Sequence, residues 1–174
     1  MEERILVPLD GSEVGEAVLP KLEDLVLRTT PRMDAEVTLL QVISKMNFNV
    51  LHQTEAAQLP IAESEARELT QKAQDYLEKV ASDLRNKGIK VKTMVSFGSA
   101  AEEIVKAAHE TSAHLIAMST HGRGGFIRWA IGSVTEKVLR LEGKIPVLAV
   151  RASSQPEESP VLAMESLHSL MKHS

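Results

Sequence analysis

The residues best able to do chemistry in this 174-residue chain lie close together, as Gly122, Arg123, Gly124 and Gly125 followed by Gly132 and Ser133. Glycines let backbone N–H groups approach an oxyanion closely, and a guanidinium adds charge and a planar fork of donors. Gly132-Ser133 then opens an amphipathic run, and the first N–H groups and dipole of a helix favour phosphate. Ser133 can cap that helix, donate its hydroxyl to a phosphate, or do both. A second feature is Pro8-Leu9-Asp10-Gly11-Ser12, which sets a carboxylate on a short rigid turn suited to ribose hydroxyls. On these residues alone the glycine segment supports an anion site, the alternative being a turn and an ordinary helix cap. Two other phosphate fingerprints are not met. The third glycine of a dinucleotide fold would fall at Ile127, and no glycine-rich run ends in Gly-Lys-Ser/Thr.

Ligands of open parallel sheets bind beyond the carboxyl ends of the strands, where strand order reverses. The two segments meet there if the first strand is central and neighbours the fourth. Ile5-Leu6-Val7 closed by Pro8 reads as a buried strand leaving into a turn. Ser12 is placed to cap a helix in which Val14, Ala17, Val18, Leu22, Leu25 and Val26 share a face, bent at Pro20. Val37 to Ile43 reads as a strand covered on both faces, and Ser44 to Pro60 as a long connection. Glu63 to Asn86 predicts a helix stopped by Asn86-Lys87-Gly88. Ile89 to Val95 alternates as a strand does, and Gly98-Ser99 opens a helix with Ser99 and Glu102 in capping-box spacing. Leu115 to Met118 is a strand, Ser133 to Leu141 a helix, and Val147 to Val150 a last strand after Pro146. The order β-α-β-α-β-α-β-α-β predicts an α/β fold with a parallel sheet and right-handed crossovers.

Composition narrows the function classes. A net charge of −4 and a pI near 5.9 give the surface no general attraction to nucleic acid or to an anionic membrane. With 3% aromatic residues there is little to stack on bases. Cysteine is absent, which excludes thiol catalysis, disulfides and cysteine-ligated metals. The apolar run after Met1 is too short for a secretory signal and no stretch could span a bilayer, so a cytoplasmic location is expected. His109 and His114 straddle a helix end and a strand start without a repeating ligand spacing, and no metal site is expected. His121 is read as stabilising its turn or meeting a phosphate, and His52 as solvated. Phe126, Ile127, Trp129 and Ile131 form an apolar cluster, read as a loop packed on its own domain or as a lid or partner surface. Residues 152–174 read as a linker and tail, in which Leu162, Leu167, Leu170 and Met171 could make a short helix or a frayed end.

Several separated blocks carry a family resemblance. Ile5 to Ser12, Met118 to Arg123, Gly132 to Val138 and Pro146 to Val150 together resemble the universal stress protein family. The likeness covers about residues 2 to 151, which sets a domain at 1–151. The nucleotide-binding branch of that family carries G-x2-G-x9-G-[ST]. Gly122 and Gly132-Ser133 match it, and Ser119 stands in place of the first glycine. The resemblance implies ATP, or alternatively AMP or ADP, as ligand, with Mg²⁺ accompanying the triphosphate. It places Asp10 on the ribose, with Pro8, Leu9 and Val42 flanking the adenine and Met118 near adenine or ribose. Gly122, Arg123, Gly132, Ser133, Val134 and Thr135 would line the phosphates, with Ser119 and Thr120 in the same binding segment. It further implies a Rossmann-like sheet ordered 3-2-1-4-5 with helices on both faces, and a homodimer through Val147 to Val150. An exposed apolar edge strand makes such pairing physically reasonable.

Catalysis finds less support. Asp10 is the one obvious acid near the site, and no base activates Ser133 or Thr135. No catalytic residue is assigned, and a binding module is preferred to an enzyme. Three readings stand: an ATP-binding signalling protein in stress response, a weak ATPase or autokinase, and a dimeric interaction protein without nucleotide.

Overall fold

The computed structural model describes residues 2–28, 34–44, 63–120 and 132–152. Five strands are laid down in the order β1 (Glu3–Pro8), β2 (Ala35–Ile43), β3 (Lys90–Phe97), β4 (Leu115–Thr120) and β5 (Val147–Arg151). Between them lie α1 (Glu13–Glu16), α2 (Leu19–Arg28), α3 (Glu63–Asn86), α4 (Ala100–Glu110) and α5 (Ser133–Leu141). Every strand pair is parallel and the sheet runs β3-β2-β1-β4-β5, the expected order with β1 at its centre.

Strand alternation explains why helices cover both faces. Ile5 and Val7 of β1 point to one side, with Val37 and Leu39 of β2, and meet Leu22 and Val26 of α2 and Leu77, Ala81 and Leu84 of α3. Leu6 and Leu40 point to the other, with Ile116 and Met118, and meet Ala101, Ile104 and Ala108 of α4 and Val138 of α5. Central strands buried on both sides must be apolar at consecutive positions, which is why they read as unbroken runs.

The first helical segment differs from the single bent helix expected. It is broken into α1 and α2, and Pro20 is the second residue of α2. A proline is tolerated in a first helical turn, where its missing N–H would have had no acceptor within the helix. A second difference concerns Ser99, which is the N-cap of α4 but makes no side-chain capping bond. Its expected capping-box partner Glu102 instead accepts a bond from Lys137 of α5 at 3.1 Å.

The turn that delivers β5 is built on one buried carboxylate. Glu142 Oε1 accepts the backbone N–H groups of Lys144 and Ile145 at 2.9 and 3.0 Å. His109 Nε2 of α4 lies 2.9 Å from Oε2, and the Glu142 side chain is only 2% exposed. The Ile145 N–H bond holds its pKa below the ordinary 4.5, against the opposing effect of burial and with help from Lys144 and His109. A depressed folded pKa contributes stability that is complete above the unfolded value and is lost as pH falls through the folded one. Glu142→Gln should therefore cost about 1–2 kcal/mol at pH 7, the scale of a charge-assisted bond. Its melting temperature should converge with that of the parent below pH 4.5. A gap of constant size from pH 7 to pH 3 would contradict this.

Candidate functional site

The carboxyl ends of β1, β2, β3 and β4 open onto one cavity of about 650 Å³, within the ~300–1,000 Å³ typical of small-molecule clefts. Pro8, Leu9 and Asp10 line it from the end of β1, Val42 and Ser44 from β2, and Met118 and Ser119 from β4. Gly132, Ser133, Val134, Thr135 and Lys137 line it from the start of α5. Apolar groups form much of the wall, and Asp10 and the start of α5 are among the polar groups in it.

Asp10 is held by the start of α1. Its Oδ1 accepts the Ser12 hydroxyl at 2.6 Å and the Ser12 N–H at 3.0 Å. Ser12 is the expected N-cap, and its Oγ accepts the Gly15 N–H at 3.0 Å. Gly11 between them has φ +79°, a left-handed conformation that favours glycine and lets the chain turn back within two residues. Gly15 is needed for a different reason: a Cβ there would collide with Asp10 Oδ1. Ser119 Oγ donates to the Gly15 carbonyl at 2.9 Å, tying the end of β4 to this turn. From the other side, the Tyr76 hydroxyl of α3 donates to Glu16 Oε1 at 2.9 Å. Burial, the Glu16 bond and charge, and the nearby Asp10 all push the Tyr76 pKa above its ordinary value, so it stays a neutral donor.

Elsewhere in the lining, α5 begins without a side-chain cap. Ser133, read from sequence as a possible cap, is the first helical residue, and the N-cap falls on Gly132 with φ −57° and ψ 147°. The first N–H groups of a helix have no carbonyl within it to donate to, and they carry the positive end of its dipole. Thr135 is buried, and Ser133 and Val134 are exposed at the cavity.

Of the expected site residues, Pro8, Leu9, Asp10, Val42, Met118, Ser119, Gly132, Ser133, Val134 and Thr135 come together around this cavity. Thr120 does not line it. Its side chain is buried, with the hydroxyl directed at the Val150 carbonyl of β5 at 3.5 Å. Gly122 and Arg123 lie outside the described residues, as do His121, the cluster from Phe126 to Ile131, and the tail after Ala152. Gly98, Ser99, Ala100, Ala101 and Ile104 also line the cavity, and the motifs gave no sign of them. Topology could have. A connection from edge strand β3 to β4 must cross β2 and β1, so α4 starts over the ends of those strands, and Gly98 N donates to the Ile43 carbonyl at 3.2 Å. No group of three or more potential metal ligands gathers among the described residues. No helix among them is long and apolar enough to cross a membrane.

The Universal stress protein family profile matches residues 1–151. The chain belongs to that family. Universal stress protein MJ0577 of Methanocaldococcus jannaschii is 32% identical over 160 residues, which span 87% of this chain and 96% of that protein. The solved structure of MJ0577 superposes with a TM-score of 0.68 at 30% identity, over 88% of this chain and 98% of that one. Two more distant family members share the fold. An Arabidopsis thaliana universal stress protein with AMP bound has a TM-score of 0.58 at 14% identity, covering 90% of this chain and 97% of its own. A universal stress protein in complex with cAMP has a TM-score of 0.56 at 16% identity, covering 87% of this chain and 98% of its own. Ser119, read from sequence as standing at the first glycine of the nucleotide-binding branch's motif, has its hydroxyl turned onto the Gly15 carbonyl.

Proposed function

We propose that the chain binds an adenine nucleotide, ATP with its Mg²⁺, in this cavity and acts in the cytoplasm as a dimeric stress-response signalling module. The observation that carries the reading is that one largely apolar cavity is lined by both a carboxylate and the start of a helix. Asp10 and the glycine-capped start of α5 both line it, at the β1–β4 switch point. That combination suits a nucleotide: ribose hydroxyls donate to a carboxylate, phosphates accept from helix N–H groups, and the base lies on apolar side chains. Pro8, Leu9, Val42 and Met118 would hold the adenine, Asp10 the ribose, and Gly132 to Thr135 the phosphates, joined by Gly122 and Arg123. That AMP and cAMP are held by two proteins of the same fold agrees with the reading.

Binding is favoured over turnover. Among the described residues Asp10 is the one carboxylate lining the cavity, and Ser12 already takes its Oδ1. A second copy of the chain would cover the outer edge of β5, the last strand of the sheet, where Val147, Leu148 and Val150 are only half-buried. Calorimetric titration with ATP, ADP, AMP and cAMP tests the nucleotide reading. Saturable binding is expected, with no phosphate released over hours and twice the chain mass by sedimentation. No heat and no thermal stabilisation with any of the four would leave the nucleotide-free interaction protein in its place. Steady phosphate release would make it an ATPase.

A further inference from the structure

We infer that Lys137 reads the charge of the nucleotide's distal phosphates, releasing Glu102 to do so, and thereby sets a preference for ATP over AMP. The inference rests on the nucleotide reading above. Lys137 is the only lysine or arginine lining the cavity among the described residues. It lies four residues after Ser133 in α5, which puts the two side chains on the same helix face, one turn apart. A phosphate received by the N–H groups at the start of α5 therefore shares the cavity with this ammonium. Lys137 Nζ is currently engaged by Glu102 Oε1 at 3.1 Å, with the two side chains 51% and 62% exposed. A pair that open to water is weakly held and exchanges partners readily. The ammonium can thus leave a singly charged carboxylate for the more highly charged end of a triphosphate. A monophosphate brings less charge to the same ammonium.

Glu102 has a matching role. Its carboxylate holds the ammonium until the anion arrives and is left unpaired afterwards, so part of the affinity for ATP is held back by this ion pair. The test is calorimetry on the full chain, with ATP and AMP titrated separately into the parent, Lys137→Ala, Lys137→Arg and Glu102→Gln. Lys137→Ala should weaken ATP about tenfold while AMP changes less than about twofold, the scale of losing one charge-assisted contact. Lys137→Arg should restore most of the ATP affinity, and Glu102→Gln should tighten ATP by roughly two- to fivefold, the scale of an exposed ion pair. Both side chains are exposed, so all variants should melt close to the parent. A parent that binds neither nucleotide overturns the nucleotide reading and this inference with it. A parent that binds ATP while Lys137→Ala keeps the same ATP-to-AMP ratio overturns this inference alone.

Discussion

Gly132→Val is expected to abolish nucleotide binding while the domain still folds. Gly132 has φ −57° and ψ 147°, an extended conformation that any residue adopts. Valine there exchanges a tolerated N-cap for a poor one, at about 1 kcal/mol. The branched side chain would stand where a phosphate must approach the first N–H groups of α5. Because those groups and the helix dipole supply most of the anion affinity in this reading, the loss should be on the order of 100-fold or more, about 2.7 kcal/mol. Calorimetry for affinity and circular dichroism melting for fold separate the two effects. A variant that melts like the parent and binds ATP with unchanged affinity would move the phosphate site elsewhere.

The second large effect concerns the turn that holds Asp10. Gly15→Ala should weaken binding about tenfold, roughly 1.4 kcal/mol, without destabilising the fold. A Cβ at Gly15 would collide with Asp10 Oδ1 and would also lie 3.4 Å from Ser12 Oγ. Asp10 is exposed, so its carboxylate can swing away at little cost to folding. Alanine's better helix propensity, about 1 kcal/mol over glycine, offsets part of any strain. What is lost is the placement of the carboxylate toward the ribose. A double-mutant cycle makes the cause explicit: in an Asp10→Ala background, Gly15→Ala should have no further effect on affinity. Additive losses would show that Gly15 acts by some route other than Asp10.

The same turn explains how a serine fits where the family motif has its first glycine. From sequence, Ser119 is only a departure from pattern. In three dimensions its hydroxyl bonds the Gly15 carbonyl, Gly15 N–H bonds Ser12 Oγ, and Ser12 Oγ bonds Asp10. The substituted motif position thus becomes part of the support under the carboxylate.

The chain's own sequence determined the element order, the parallel α/β architecture and the limits of the two best-patterned helices. Glu63–Asn86 and Ser133–Leu141 stand where apolar spacing and glycine punctuation put them. Such signals are local: a helical face repeats every three to four residues and a buried strand is a short unbroken apolar run, so neighbours in sequence suffice. The likeness to the family was legible for a related reason, since each of its blocks is a short continuous run of sequence. Only the tertiary structure decided what each polar side chain does. Glu102 chose Lys137, 35 residues away, over the capping position three residues away. Thr120 turned to β5 rather than to the cavity, and Gly15 proved to lie where a Cβ would meet Asp10. The start of α4 entered the site because its crossover passes over β2 and β1. In each case the outcome was set by distances across the fold that no spacing along the chain encodes.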